Sequence, residues 1–198
     1  MGMLSREAIE AMGFASLGGD LHISEKASFY GVGRIALGSH VRIDDFCVLS
    51  AGAGGIQVGS YVHIAVGSSL IGAGRITLGD FCNLSSRVAI YSSSDDYSGV
   101  AMTNPMVPIE CTDVTHAAVI LGSHVIVGCG SVILPGVRLE VGVAVGALSL
   151  INQDCAAFGI YVGVPARQVK ERNRNLLQVE RALRQKAQAG RVFQSNES

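Results

Sequence analysis

The chain has 198 residues, 48% of them apolar, 16% charged and 6% aromatic, with 25 glycines, no tryptophan and a formal net charge of −1. So apolar and weakly charged a composition excludes a disordered chain, and no apolar run reaches the roughly 18 residues of a membrane-spanning helix, which leaves one domain or a short repeat array around a dense core. The charge is unevenly spread: residues 167–191 carry eight basic residues against Glu171 and Glu180, which is no nucleic-acid footprint but suits a phosphate-bearing ligand.

In chain order, LSREAIEAM (residues 4–12) reads as a short helix stopped by Gly13, within a cap spanning residues 1–19. The N-terminus lacks the apolar stretch of a secretory signal, and Arg6 breaks the acylation pattern that Met1-Gly2 opens, so a cytoplasmic chain is expected. Aliphatic residues then recur every six positions: Leu37, Ile43, Leu49; Val58, Ile64, Leu70; Leu78, Leu84, Ile90; and, unbroken, Leu121, Val127, Ile133, Leu139, Val145, Ile151. Small or β-branched side chains such as Val41, Cys47, Val62, Val125 and Ser131 follow four places later. A sixfold period is neither a helix nor an alternating strand. A short strand, a turn and a change of direction of about 120° per hexad would put every sixth side chain inside a triangular prism. Three hexads make one coil of about 18 residues, roughly 20 Å to a side.

Between Ile90 and Leu121 the hexads stop for about thirty residues, and loops of that length are usually functional or disordered. Tyr97, Met102, Pro105, Met106 and Pro108 argue for an ordered loop that covers something. The chain after Pro165, ARQVKERNRNLLQVERALRQKAQ, suits a C-terminal helix with Pro165 just before its start, and residues 189–198 are expected to fray. Five cysteines without CxxC pairing fit reduced thiols, with Cys47 and Cys82 as small hydrophobes in the core.

These hexads, the segment VILGSHVIVGCGSVILPGVRLEVGVAVGALSLI and the tail GVPARQVKERN resemble the hexapeptide-repeat acyltransferases, and among them the branch of galactoside, maltose and lipopolysaccharide O-antigen acetyltransferases. YVHIA, LSSRVAIYSSSDDYSG and TNPMVP are similar to a sugar-modifying subgroup of that branch. The resemblance implies an all-β solenoid: a left-handed parallel β-helix over residues 20–165 with a loop excursion near 91–118, then a helix and tail over 166–198. It also implies a homotrimer that transfers acetyl from acetyl-CoA at clefts between subunits, with no nucleic acid, no metal and no integral membrane segment.

Where the galactoside and maltose enzymes carry their catalytic histidine, this chain reads Asp95, followed by Asp96. The usual base is therefore absent from its place. His63, in YVHIA, aligns with a residue that lines the acceptor pocket in those enzymes, and an imidazole titrating near neutrality suits a general base. His63 and Asp95 fall on different corners of one chain, so the expectation is that His63 of one subunit is oriented by Asp95 or Asp96 of the next. Asp95-Asp96 as a turn or cap is the alternative, and His116 is the rival base. Arg87 and Tyr97 are candidates for acceptor binding, Arg87 alternatively pairing with Asp96. Cys129, Gly146 and Ala147 occupy family positions along the pantetheine groove, and Arg167 and Lys170 match tail cations that meet the phosphates of coenzyme A.

The expected reaction is direct attack by a sugar hydroxyl on the thioester, in cell-surface polysaccharide or lipopolysaccharide biosynthesis. The alternative acceptor is the amino group of a nucleotide-linked sugar. Two readings compete. A zinc-dependent carbonic anhydrase of the same fold needs two histidines five apart, whereas His116 and His124 are eight apart. A non-catalytic solenoid would need neither the long loop nor the basic tail.

Overall fold

The computed structural model describes residues 2–195. Three parallel sheets form the walls of a prism. The first wall stacks Ser16–Leu17, Ile35–Leu37, Ile56–Val58, Ile76–Leu78, Val119–Leu121 and Arg138–Leu139. The second stacks Leu21–Ile23, Val41–Ile43, Val62–Ile64, Asn83–Leu84, Ile126–Val127, Ala144–Val145 and Gly159–Gly163. The third is built from Ser28–Tyr30, Val48–Ala51, Ser69–Gly72, Ala89–Tyr91, Val132–Ile133 and Leu150–Ile151.

In the first two walls a three-residue strand turns its first and last side chains inward and its middle one outward, so that in Val62–Ile64 Val62 and Ile64 are buried and His63 is not. In the third wall the middle residue is the inward one, as Ile90 is in Ala89–Tyr91. The predicted hexad aliphatics are the inward residues, with Leu49, Ile64, Leu70, Leu84, Ile90, Val127, Ile133 and Leu139 fully buried. One coil takes 18 residues from Ile120 to Arg138, but 21 from Ile35 to Ile56 and 20 from Ile56 to Ile76. The extra residues of those upstream coils are the glycine-containing insertions that interrupt the hexads. Gly128 shows why a corner needs a hydrogen for a side chain: a Cβ there would lie 2.4 Å from the Ala147 nitrogen of the next coil.

Cys47 and Cys82 are buried as expected, each Sγ donating to a backbone carbonyl. Burial pushes the Cys82 thiol up to about 12. At the corner between the first and second walls, His40, Tyr61, Phe81 and His124 all have positive φ and stack ring on ring at 4.4, 4.8 and 4.9 Å.

Both ends differ in detail from the expected boundaries. Helix α1 (Arg6–Ala11) is capped by the Ser5 side chain, but the first coil already begins at Ser16, inside the expected 1–19 cap. The chain does not enter a helix after Pro165. Ala166–Glu171 instead forms a strand antiparallel to Gly159–Gly163, and helix α2 (Leu176–Ser195) starts only afterwards. The reason is local: the hairpin covers the open edge of the second wall, which would otherwise expose unpaired backbone groups. Arg172 ends the hairpin by donating to the carbonyls of His124 and Gly142. Residues 189–195, expected to fray, continue α2, and residues 196–198 lie outside the described residues. Among the described residues no helix is long and apolar enough to cross a membrane.

Candidate active site

The excursion leaves the coil after Tyr91 and returns before Val119. Its neck is closed by Ser93–Ser94 pairing antiparallel with Thr115–His116, so residues 95–114 form the loop proper. Two hydrogen-bond sets fix its shape. Asp96 accepts from the backbone N–H groups of Ser98, Val100 and Ala101 at 2.8, 3.0 and 3.0 Å. Those bonds, led by the one from Ala101, pull its carboxyl down to about 2. Ser93 Oγ accepts from Ala73 N at 2.8 Å and lies 2.8 Å from His116 Nδ1.

Between loop and wall lies a cleft of about 800 Å³. Its apolar side is Ile71, Pro105, Val107, Ile109 and Val114, and its polar side is Ser93, Ser94, Asp95, Asp113 and His116. Among the described residues no donor is bonded to the Asp95 or Asp113 carboxylate, and His116 Nε2 has no partner. The two adjacent aspartates thus have different surroundings: Asp96 holds the loop together, and Asp95 presents an unspent negative charge to the cleft.

His63 is elsewhere, on the outward face of the second wall. Its Nε2 lies 2.9 Å from Asp44 Oδ2 and its Nδ1 3.1 Å from Asn83 Oδ1. Asp44 also accepts from Arg42 Nε at 2.7 Å. Burial works to raise the Asp44 carboxyl, but the bonds from His63 and Arg42 outweigh it and hold it below the ordinary carboxylate value. The carboxylate that orients His63 is therefore Asp44 of the same chain, where Asp95 or Asp96 of a neighbour was expected. The cause is the stacking of coils, which sets Asp44 one coil before His63. Arg87 sits exposed at a positive-φ corner and makes no ion pair with Asp96. Tyr97 is 93% exposed at the loop surface.

On the donor side, Cys129 and Ala147 are exposed on adjacent coils, with Gly146 beside them. Arg167 and Lys170 are exposed on the hairpin strand that extends the second wall. Ser85, part of the LSSRVAIYSSSDDYSG segment but not among the expected site residues, directly follows the strand Asn83–Leu84 of that wall. Among the described residues no group of three or more His, Cys, Asp or Glu is placed to hold a metal ion.

No family model matches the chain. The dTDP-4-amino-4,6-dideoxy-D-glucose acyltransferase of Escherichia coli is 51% identical over 180 residues, covering 91% of this chain and 94% of that protein. AntD, an N-acyltransferase from Bacillus cereus, superposes with a TM-score of 0.89 at 41% identity over 93% of this chain and 97% of its own. That structure is a complex with dTDP-4-amino-4,6-dideoxyglucose and coenzyme A, and another holds dTDP and 3-hydroxybutyryl-CoA. WbbJ of Escherichia coli K12, to which lipopolysaccharide O-acetyl transfer is ascribed, is similar over only 72 residues, 36% of this chain, at 32% identity. The three-walled coil with its CoA-binding relatives defines a left-handed β-helix acyltransferase. The chain belongs to the hexapeptide-repeat acyltransferases, and it is an enzyme of that class.

Proposed function

We propose that this protein transfers an acyl group from acyl-coenzyme A to the amino group of a dTDP-linked 4-amino-4,6-dideoxyhexose. The observation that carries this reading is the unspent Asp95 carboxylate facing a cleft that also holds Asp113 and His116. An anionic lining attracts an ammonium group and offers a neutral hydroxyl far less. The relatives point the same way: similarity to the amino-sugar acyltransferases spans nearly the whole chain, and similarity to WbbJ only about a third of it. Solved AntD variants carry substitutions at a serine and at an aspartate ten positions later; Ser85 and Asp95 have that same spacing here.

The residues take the following roles. Asp95 holds the acceptor's ammonium group. His116, with Nδ1–H donated to Ser93 Oγ, turns the lone pair of Nε2 to the cleft and takes the proton that must leave before nitrogen can attack. His63 is a poorer base, because both of its ring nitrogens are already bonded. The amine then attacks the thioester carbonyl: the C–N bond forms, the C–S bond breaks, and the second proton of the nitrogen ends on the coenzyme A sulfur. The apolar side of the cleft suits the methyl group of a 6-deoxy sugar. Cys129, Gly146 and Ala147 are small enough for the pantetheine arm to lie along the backbone, and Arg167 and Lys170 supply cations for the donor's phosphates. Active sites completed between the subunits of a homotrimer are part of this reading.

The test is the product. With acetyl-CoA and dTDP-4-amino-4,6-dideoxyglucose, mass spectrometry should show one acetyl group that survives neutral hydroxylamine, as an amide does and an ester does not. A hydroxylamine-labile product, or faster transfer to sugars that lack an amine, would refute it.

A further inference from the structure

The corner between the second and third walls carries a column of its own. Phe46, Gly67, Arg87, Gly130 and Leu148 occupy the same place in successive coils, all with positive φ, and each N–H donates to the coil before, as Arg87 does to the Val66 carbonyl. The two glycines make room for side chains of the next coil. Arg87 Cγ lies 3.3 Å from where a Gly67 Cβ would stand, and Leu148 Cδ2 2.7 Å from where a Gly130 Cβ would. Arg87 thus leans across Gly67 toward Phe46, whose ring is 61% exposed with the Lys26 ammonium 5.4 Å from its centroid. Leu148 leans the same way across Gly130, next to Cys129. With coils about 4.8 Å apart, roughly 10 Å of corner separates Phe46 from Arg87.

Several cations of the chain are spent on acids: Lys26 on Asp45, Arg42 on Asp44, Arg184 on Glu180 and Asp80. Among the described residues Arg87 has no partner, and neither has the hydroxyl of Ser86 beside it. This corner holds no acidic residue in the coil of Arg87 or in the coil on either side. Asp44 and Asp45 lie two coils away, the first bonded to Arg42 and His63, the second to Ser24 and Lys26.

We infer that this corner is the nucleotide subsite of the acceptor: Arg87 and the Ser86 hydroxyl hold the diphosphate, and the Phe46 ring carries the thymine. This rests on the proposed function, because it assigns a place to that acceptor's nucleotide. The cleft itself cannot hold a diphosphate, since Asp95 and Asp113 face it with uncompensated charge. The phosphates need an unspent cation away from carboxylates, and Arg87 is one, with a planar guanidinium suited to phosphate oxygens. The base is neutral and needs an exposed aromatic face instead, which Phe46 provides. Gly67, without a side chain, leaves the space between them open. On the other side of Arg87 the same corner turns small and apolar through Cys129, Ala147 and Leu148, the surface assigned to the pantetheine arm. Acceptor and donor thus share one corner, approaching from opposite directions, and their reacting ends meet near Ser85. The cleft that receives the sugar lies at a different corner of the chain, so it belongs to a second copy.

Calorimetric titration of the full-length protein with dTDP, which lacks the sugar, tests this. Arg87→Met should weaken dTDP binding at least tenfold and Phe46→Leu severalfold, while the affinity for coenzyme A stays within twofold. Arg87→Lys should restore part of the loss, and Phe46→Tyr, which keeps the ring, should bind dTDP within twofold of the wild type. The control is Arg75→Met: Arg75 is exposed and equally without a partner, but stands at the corner that carries the acidic excursion, and its loss should leave dTDP affinity within twofold. Unchanged dTDP affinity in both Arg87→Met and Phe46→Leu, in a protein that still acylates the amino sugar, overturns the subsite and leaves the function standing. A loss confined to Arg75→Met, or a loss of coenzyme A rather than dTDP affinity in Arg87→Met, overturns it as well. A wild-type protein that neither binds dTDP nor acylates its amino sugar overturns both subsite and function.

Discussion

Replacing Ile64 by alanine removes a side chain that is fully buried and whose strand is paired to Ile43 in the coil before and Leu84 in the coil after. Three carbons at about 0.8 kcal/mol each give about 2.4 kcal/mol of lost transfer energy. Because stacked coils leave little room to relax, the remaining cavity brings the cost to roughly 3–4 kcal/mol. In a chain of this length each kcal/mol moves the thermal midpoint by about 2–4 °C, so a fall of roughly 6–16 °C is expected. The control is Gln57→Ala, at an outward and exposed middle position, which should stay within about 0.5 kcal/mol. Urea and thermal unfolding at fixed protein concentration read both variants. Equal losses for Ile64 and Gln57 would refute the inward–outward alternation on which the three-walled core depends.

Other outcomes follow from the loop and the thiols. Asp96→Ala should release the amides of Val100 and Ala101, seen as faster hydrogen exchange in the loop, with the coils unchanged. Because the Asp96 carboxyl is lowered to about 2 in the folded protein, its contribution is complete above the unfolded value near 3.8 and is lost as pH falls through about 2. Loop amides should therefore stay protected at pH 4 and exchange freely near pH 2, and equal protection at both would contradict that role. In a Cys111→Ser background, N-ethylmaleimide should modify Cys129 alone in the native protein, with coenzyme A protecting it, since Cys47, Cys82 and Cys155 are buried. Labelling of Cys129 that ignores coenzyme A would remove it from the donor groove. His116→Gln should lower kcat at least about a hundredfold with KM little changed, and near-normal turnover would return the base to another group.

The sixfold beat made the prism, its buried positions and the excursion readable from the sequence, because every hexad repeats one environment. The hairpin at Gly159–Gly163 and Ala166–Glu171 was not readable. The charged segment after Pro165 fits a solvated helix face as well as an exposed strand, and only its pairing partner decides. Stacking the hexads also places Arg42, His63 and Asn83 one above another, a signal present in the sequence that a search for a single base passes over. Asp95 and Asp96 could not be told apart by type or spacing. What separates them is that three loop amides point at one carboxylate and none at the other, which belongs to the folded loop alone.

The most direct measurement is kcat/KM for dTDP-4-amino-4,6-dideoxyglucose in the wild-type protein and in Asp95→Asn, with the unfolding midpoint taken in parallel. Loss of the charge that holds the ammonium group should lower kcat/KM by roughly ten- to a hundredfold or more, with the midpoint unmoved because among the described residues nothing bonds to the Asp95 carboxylate. Unchanged kcat/KM in Asp95→Asn would contradict an amine-reading carboxylate in this cleft.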